Sequence, residues 1–288
     1  MELTKRVTQY LGRKLLGGAI NERGNKYEGY FTVFKITVNI NLFPAKCDKV
    51  FFSAQEAAFV DDLLIDIDSL RQLYQLKTSK SLDWGLARLL KAINFDFSIQ
   101  RQIEIYYKRK FELSLVVSYP TLANNLIASI PRHLKPCTKI IFFPYYDSFQ
   151  KQILNDPIFR NELEKLSGLS SPSIDKLEAL AASILGCWGA TDKKRICLEE
   201  IYLKVQSFGY SFIKPRVVNK LSSKTIAILD KIPDFTYIEN NGYFTWKYKS
   251  ADSGIIPYQI GSIEFNKIEL DIQAINPKDF TTLEKTIS

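Results

Sequence analysis

Ala58 to Ser79 reads AFVDDLLIDIDSLRQLYQLKTS. It holds an apolar run opened by two adjacent acids, a polar turn, and a second strand carrying Gln75 and Lys77. Residues two apart in a strand share a face. Gln75 and Lys77 therefore project together, while Tyr74, Leu76 and Thr78 face the other way. With Phe59–Ile67 and Leu73–Thr78 as a hairpin, Asp62 or Asp61 sits beside the Gln75/Lys77 pair. Oxygen ligands of this kind suit Mg²⁺, which binds through one or two carboxylates plus substrate phosphate. A lysine beside them stabilises an attacking hydroxide or the charge on phosphorus. The ordinary alternative is an exposed strand with a turn at its start.

The order of acid, hydrophobic strand, turn and Gln75-x-Lys77 resembles the core of the PD-(D/E)xK nuclease superfamily, in many members of which glutamine replaces the second acid. Upstream, Gly17 to Glu28 reads GGAINERGNKYE. It is similar to the opening helix of double-stranded-DNA nuclease domains of bacterial anti-phage effectors. There a Gly-x-x-Tyr-Gln or Tyr-Glu segment precedes the acid and the Gln-x-Lys strand. The resemblance covers roughly the first half of the chain.

The resemblance implies an α/β fold with a restriction-endonuclease-like core, a mixed central sheet flanked by helices. It implies a metal-dependent DNA endonuclease, a hydrolase of phosphodiesters, with Mg²⁺ or Mn²⁺ as cofactor. Glu28, Asp62 and Gln75 would form or orient the metal shell, and Lys77 would activate water. Asp61 is the register alternative, because adjacent strand residues face opposite ways. Asp62 is preferred, since in similar domains the acid stands directly before the hydrophobic pair, here Leu63-Leu64. The resemblance also implies a role in anti-phage defence, with an ATPase or sensor partner that licenses cutting. Glu56 is a further candidate acid, or a loop residue.

The spacing of Tyr27, Tyr30, Phe31 and Phe34 predicts a helix, with Glu28 on its flank. The segment before it, residues 2–23, reads as basic, partly amphipathic and broken at Gly17-Gly18. Pro44 stops a continuous helix, and Val50-Phe51-Phe52 suits a short strand. Residues 82–107 read as one helix with Trp84 in the core. Gln100, Arg101, Lys108, Arg109 and Lys110 are either phosphate contacts or a solvated face. Phe111–Tyr119 and Lys139–Tyr145 are strands with a helix, Leu122–Ile130, between them, which gives a crossover α/β sheet. Residues 147–166 form a helix interrupted at Pro157.

Gly168 to Ser173 (GLSSPS) is the best linker. It divides a nuclease-like part, 1–166, from a C-terminal part, 173–288. That second part reads as helices around 174–185, 194–207 and 220–231. A hairpin with Asn241-Gly242 at its turn follows. This order resembles a winged helix. Lys214, Arg216, Lys220 and Lys224 would contact DNA, with the hairpin as wing; a partner-docking module is the rival. Tyr243, Phe244 and Trp246 cannot share one strand face, so an aromatic interface is expected. Short strands at 258–265 and 268–275 and a peripheral tail from Pro277 complete the chain.

The 39 Lys and Arg against 31 Asp and Glu give a net charge of +8, which favours an anionic partner. Residues 191–224 hold eight bases and three acids, and residues 250–288 three bases and six acids. Cys47, Cys137, Cys187 and Cys197 form no Cys-x-x-Cys pair, and His133 is the single histidine. Structural zinc and histidine-dependent hydrolysis are thereby disfavoured; free thiols in a reducing cytosol fit better. There is no Gly-rich phosphate loop and no apolar run of about 20 residues. A cytoplasmic protein without membrane contact is expected. The rival function is a non-catalytic adaptor that binds DNA or a partner protein, since glutamine at 75 removes one negative charge from the metal site.

Overall fold

A computed structural model describes residues 5–54, 58–86, 92–215, 219–240, 242–249 and 252–287. Residues 5–21, 210 and 240 are described by backbone alone. In chain order the elements are α1 (Lys5–Leu42), β1 (Val50–Ser53), β2 (Leu63–Ile67), β3 (Leu70–Lys77), α2 (Ile93–Tyr106), β4 (Lys110–Val117), α3 (Pro120–Ala128), β5 (Thr138–Phe142), α4 (Phe149–Asn155), α5 (Pro157–Leu166) and α6 (Ile174–Gly189). There follow β6 (Ile196–Cys197), α7 (Leu198–Gln206), α8 (Ser223–Leu229), β7 (Phe235–Asn240), β8 (Tyr243–Tyr248), β9 (Asp252–Gln259), α9 (Ile263–Ile275) and α10 (Phe280–Ile287).

The larger sheet has six strands in the order β5-β4-β3-β2-β1-β6. The strands β1, β2 and β3 form an antiparallel meander, while β4 and β5 run parallel to β3. The protein is thus α/β, with a mixed sheet flanked by helices. The tight turn from β2 to β3 places Asp68 at φ 51°, a left-handed position that Asp tolerates. Alternation along β3 splits two cores. Tyr74 and Leu76 pack with Phe31 and Ile36 of α1 and with α4 to α7. Leu73 packs with Phe97 of α2 and Leu122 and Leu126 of α3.

Several expectations need correction. Helix α1 runs unbroken through Gly17-Gly18. Each glycine costs a helix about 1 kcal/mol relative to Ala, and the packing of the apolar stripe from Tyr27 onward carries the element. The helix expected over 82–107 spans only Ile93–Tyr106. Gly85 stands at φ 62°, its N–H bonded to Asp83 Oδ1, a turn that excludes helix. Leu89 and Leu90 lie outside the described residues. Trp84 is buried in the core, as expected, and its Nε1 donates to Leu126 O. Gln100 is no phosphate contact: it is buried, accepts from Phe59 N at 2.9 Å and donates to Glu104 at 2.7 Å. Arg109 pairs with the same buried Glu104.

The fourth correction concerns the linker. The hydrophobic cores do not divide at 166–173, because Leu177, Leu180 and Trp188 of α6 and Leu198, Ile201 and Tyr202 of α7 are buried in the first core. Strand β6 pairs with β1 in the large sheet. The separate core begins at Leu221, gathering Leu229, Phe235, Phe244, Ile256, Phe265, Phe280 and Leu283. The three helices and hairpin of the winged-helix expectation are present in order, but α6 and α7 belong to the other core. The strands expected at 258–265 and 268–275 are instead the end of β9 and helix α9. The expected tail is helix α10, anchored by Phe280 and Leu283. The aromatic interface is internal: Phe244 faces the small core, and Tyr243 donates from its hydroxyl to Ile213 O.

Candidate functional site

Asp62 directly precedes β2, and Leu63 pairs with Tyr74 of β3. Antiparallel register therefore sets Asp62 opposite Gln75. One carboxylate oxygen, Oδ2, accepts from Gln75 Nε2 and from the Leu76 backbone N–H, each at 2.6 Å. The acid thus extends the ladder by one rung and is held at both donors. Burial raises its carboxyl above the usual range, against the pull of the Leu76 N–H and of Lys77. Lys77 ends β3, half-buried. The segment leading to the two acids is pinned from α2 by the Gln100 bond to Phe59 N.

Glu28 reaches the same place from α1. Burial first, then the charges of Asp62 and Asp61, push its carboxyl up to about 7, while Lys77 and Lys193 act against them. The structure thus brings Glu28, Asp62, Gln75 and Lys77 to one end of the β2–β3 pair, with Asp61 close enough to be felt. It is Asp62 that takes both hydrogen bonds. Glu56 lies outside the described residues.

Two residues escaped sequence reasoning. Asp96, in the first turn of α2, has its carboxyl raised by burial and by Asp61 and lowered by Lys77. Lys193 stands at φ 60° between α6 and β6, its carbonyl accepting from Ala54 N at 2.9 Å. Only the pairing of β6 with β1 brings it to Glu28, so nothing local in the sequence announces it. The basic residues expected to contact DNA lie apart. Lys214, Lys220 and Lys224 are exposed. Arg216 lies outside the described residues. His133, given no role, bonds Ser98 at an exposed position. None of the four cysteines is in a disulfide, and Cys47 and Cys187 are buried.

The donor set fits a hard cation in kind: two carboxylates, an amide oxygen and a mutual repulsion that a cation would relieve. Among the described residues, no three of His, Cys, Asp or Glu gather as a ready metal cluster. A magnesium ion here would therefore keep several waters and take a substrate phosphate oxygen, which is its ordinary habit. Among the described residues no helix is long and apolar enough to cross a membrane. No family model, curated protein or solved structure matches the chain.

Proposed function

We propose that the chain is a metal-dependent DNA endonuclease of the PD-(D/E)xK type. The observation that carries this reading is the seating of Asp62 by Gln75 and the Leu76 N–H, with Lys77 and Glu28 at the same end of the sheet. Asp62, Glu28 and the Gln75 carbonyl oxygen would hold Mg²⁺ or Mn²⁺. When bound, the metal would supply Lewis-acid polarisation of the phosphate and lower the pKa of a coordinated water. Gln75 and the Leu76 amide keep Asp62 from turning as charge builds up. Lys77 places its ammonium where negative charge develops on the attacking oxygen and the phosphorane. Glu28 must lose its proton before it can serve as a ligand, so its readiness rises through about pH 7.

The resemblance adds a role in bacterial anti-phage defence, with an ATPase or sensor partner that releases the activity. Lys214, Arg216, Lys220 and Lys224 are proposed as DNA backbone contacts, with the β7–β8 hairpin as wing. The likeness to a winged helix is then confined to α8 and the small sheet, because α6 and α7 are built into the first core. The lack of a third clustered acid among the described residues favours the adaptor as second reading.

Incubation of purified protein with supercoiled plasmid and linear duplex, in Mg²⁺, Mn²⁺ or EDTA, separates the two. Metal-dependent cutting that disappears in Lys77→Ala is expected. Cutting that persists in Lys77→Ala would overturn the site. Absence of cutting with every metal would move the assignment to the adaptor.

A further inference from the structure

Arg23 lies one turn before Tyr27 on α1. The Tyr27 hydroxyl donates to Phe143 O at 2.9 Å, which fixes this face of α1 over the ends of β4 and β5. That edge is also the edge of the candidate site, since Lys77 pairs with Val117 and the Phe143 N–H bonds Val117 O. Beyond Val117 come Ser118 and Tyr119.

Arg23 donates from Nη2 to the Tyr119 hydroxyl at 3.3 Å, and its guanidinium lies 5.2 Å from the centre of the Tyr145 ring. Among the described residues it faces no carboxylate. Its Nε is buried without a hydrogen-bond partner, and so is the Ser118 hydroxyl. A buried donor left unpaired costs about 1–3 kcal/mol, so both groups gain by meeting an acceptor. By alternation along β4, Ser118 is on the α1 side, as Val116 is.

Arg23 and Glu28 are five residues apart on α1, about 7.5 Å along the helix axis and about 140° around it. Arg23 thus flanks the site from the α1 side of the sheet edge at which Lys77 ends β3. A strand whose scissile phosphate meets Lys77 and Asp62 can present a neighbouring phosphate there. We infer that Arg23, steadied by Tyr119 and Tyr145 and joined by Ser118, is a phosphate-binding subsite that positions the nucleic-acid strand beside the reacting group. This inference rests on the phosphodiester reading above. The guanidinium fork matches phosphate oxygens in pairs. Its aromatic support holds the fork in place before binding, which lowers the ordering cost.

The test uses the full chain in an Asp62→Asn background with EDTA, so that binding is read without cutting. A short fluorescein-labelled DNA duplex is titrated by anisotropy over a range of salt. Adding Arg23→Gln is expected to weaken binding about ten-fold and to lower the slope of log K against log salt by about one. Arg23→Lys keeps the charge and loses the fork, so it should keep the slope and lose less affinity. Unchanged affinity and slope in Arg23→Gln, or a lowered melting temperature alone, would overturn the subsite. If Arg23→Gln does not fold, the affinities of Arg23→Lys and Tyr119→Phe decide, and no loss of affinity in either variant overturns it. Wild-type cutting with a silent Arg23 sinks this inference alone. Wild-type protein that never cuts but shows the Arg23 effect sinks the nuclease and leaves the subsite. An Asp62→Asn protein that binds no duplex overturns the subsite, while wild-type cutting still decides the nuclease.

Discussion

At the scale of residues, Asp62 and Lys77 have different proposed roles but the same expected failure. Asp62→Asn keeps an oxygen for the Leu76 N–H and so keeps the fold, yet it removes the charge that a cation needs. Lys77→Ala removes the charge proposed to face the reacting oxygens. Each is expected to lower plasmid cutting by at least about 10²-fold with little change in the circular-dichroism melt; a variant that cuts normally would remove its residue from the site. Glu28 gives a signed pH prediction. Its carboxyl is raised from 4.5 to about 7, so between these values the folded chain holds a proton that the unfolded chain has released. Stability on this account is present at low pH and falls as pH rises through the window. With chelator present, the melting temperature of Glu28→Gln should therefore fall less than that of wild type between about pH 5 and pH 8. Equal slopes would show that Glu28 does not titrate there. The pairing of Gln75 with Lys77 was legible because a strand has a period of two. The choice of Asp62 over Asp61 needed the register against β3, which two adjacent identical residues cannot announce.

At the scale of elements, α2 and its buried polar groups hold the acidic segment in place. Gln100→Ala would leave the Phe59 N–H without its partner and take one donor from Glu104. The expected result is a loss of about 1–3 kcal/mol in urea unfolding, faster hydrogen exchange at the Phe59 amide, and weaker cutting. Unaltered exchange at Phe59 would show that Gln100 does not anchor the site. The β2–β3 hairpin, β4 and β5 could be read from alternation and from Pro120. Helix α9 could not. Its sequence IEFNKIELDIQAI places apolar residues at spacings of two, three and four, so strand and helix periods both fit. The third strand of the small sheet was equally hidden, since β9 contains Gly254 and Pro257, residues that weaken a strand assignment.

At the scale of the whole molecule, the small sheet meets the larger body around Tyr243 and Gln259. Tyr243 is fully buried and donates to Ile213 O at 3.1 Å, and Gln259 donates to the same carbonyl at 2.9 Å. Its ring lies so close to Gly168 that a Cβ there would come within 2.5 Å. Gly168 is therefore a contact site between the cores and not a free linker. Tyr243→Ala should cost about 3–5 kcal/mol, read as a lower urea midpoint. Gly168→Ala should lower the midpoint too, by forcing the ring away. A Tyr243→Ala protein as stable as wild type would mean that the two cores stand independently.

The sequence by itself determined the α/β class, the hairpin that places Gln75 and Lys77 side by side, and the helical stripe that carries Glu28. These follow from periods of two and 3.6 residues, which are local properties of the backbone. Tertiary structure alone decided that Asp62 is seated, that Lys193 comes to Glu28 through β6, and that α6 and α7 belong to the first core. It alone set Arg23 against Tyr119, 96 residues away. Such contacts are selected by the burial of two cores and by strand pairing between distant segments, and no short window of residues carries that information.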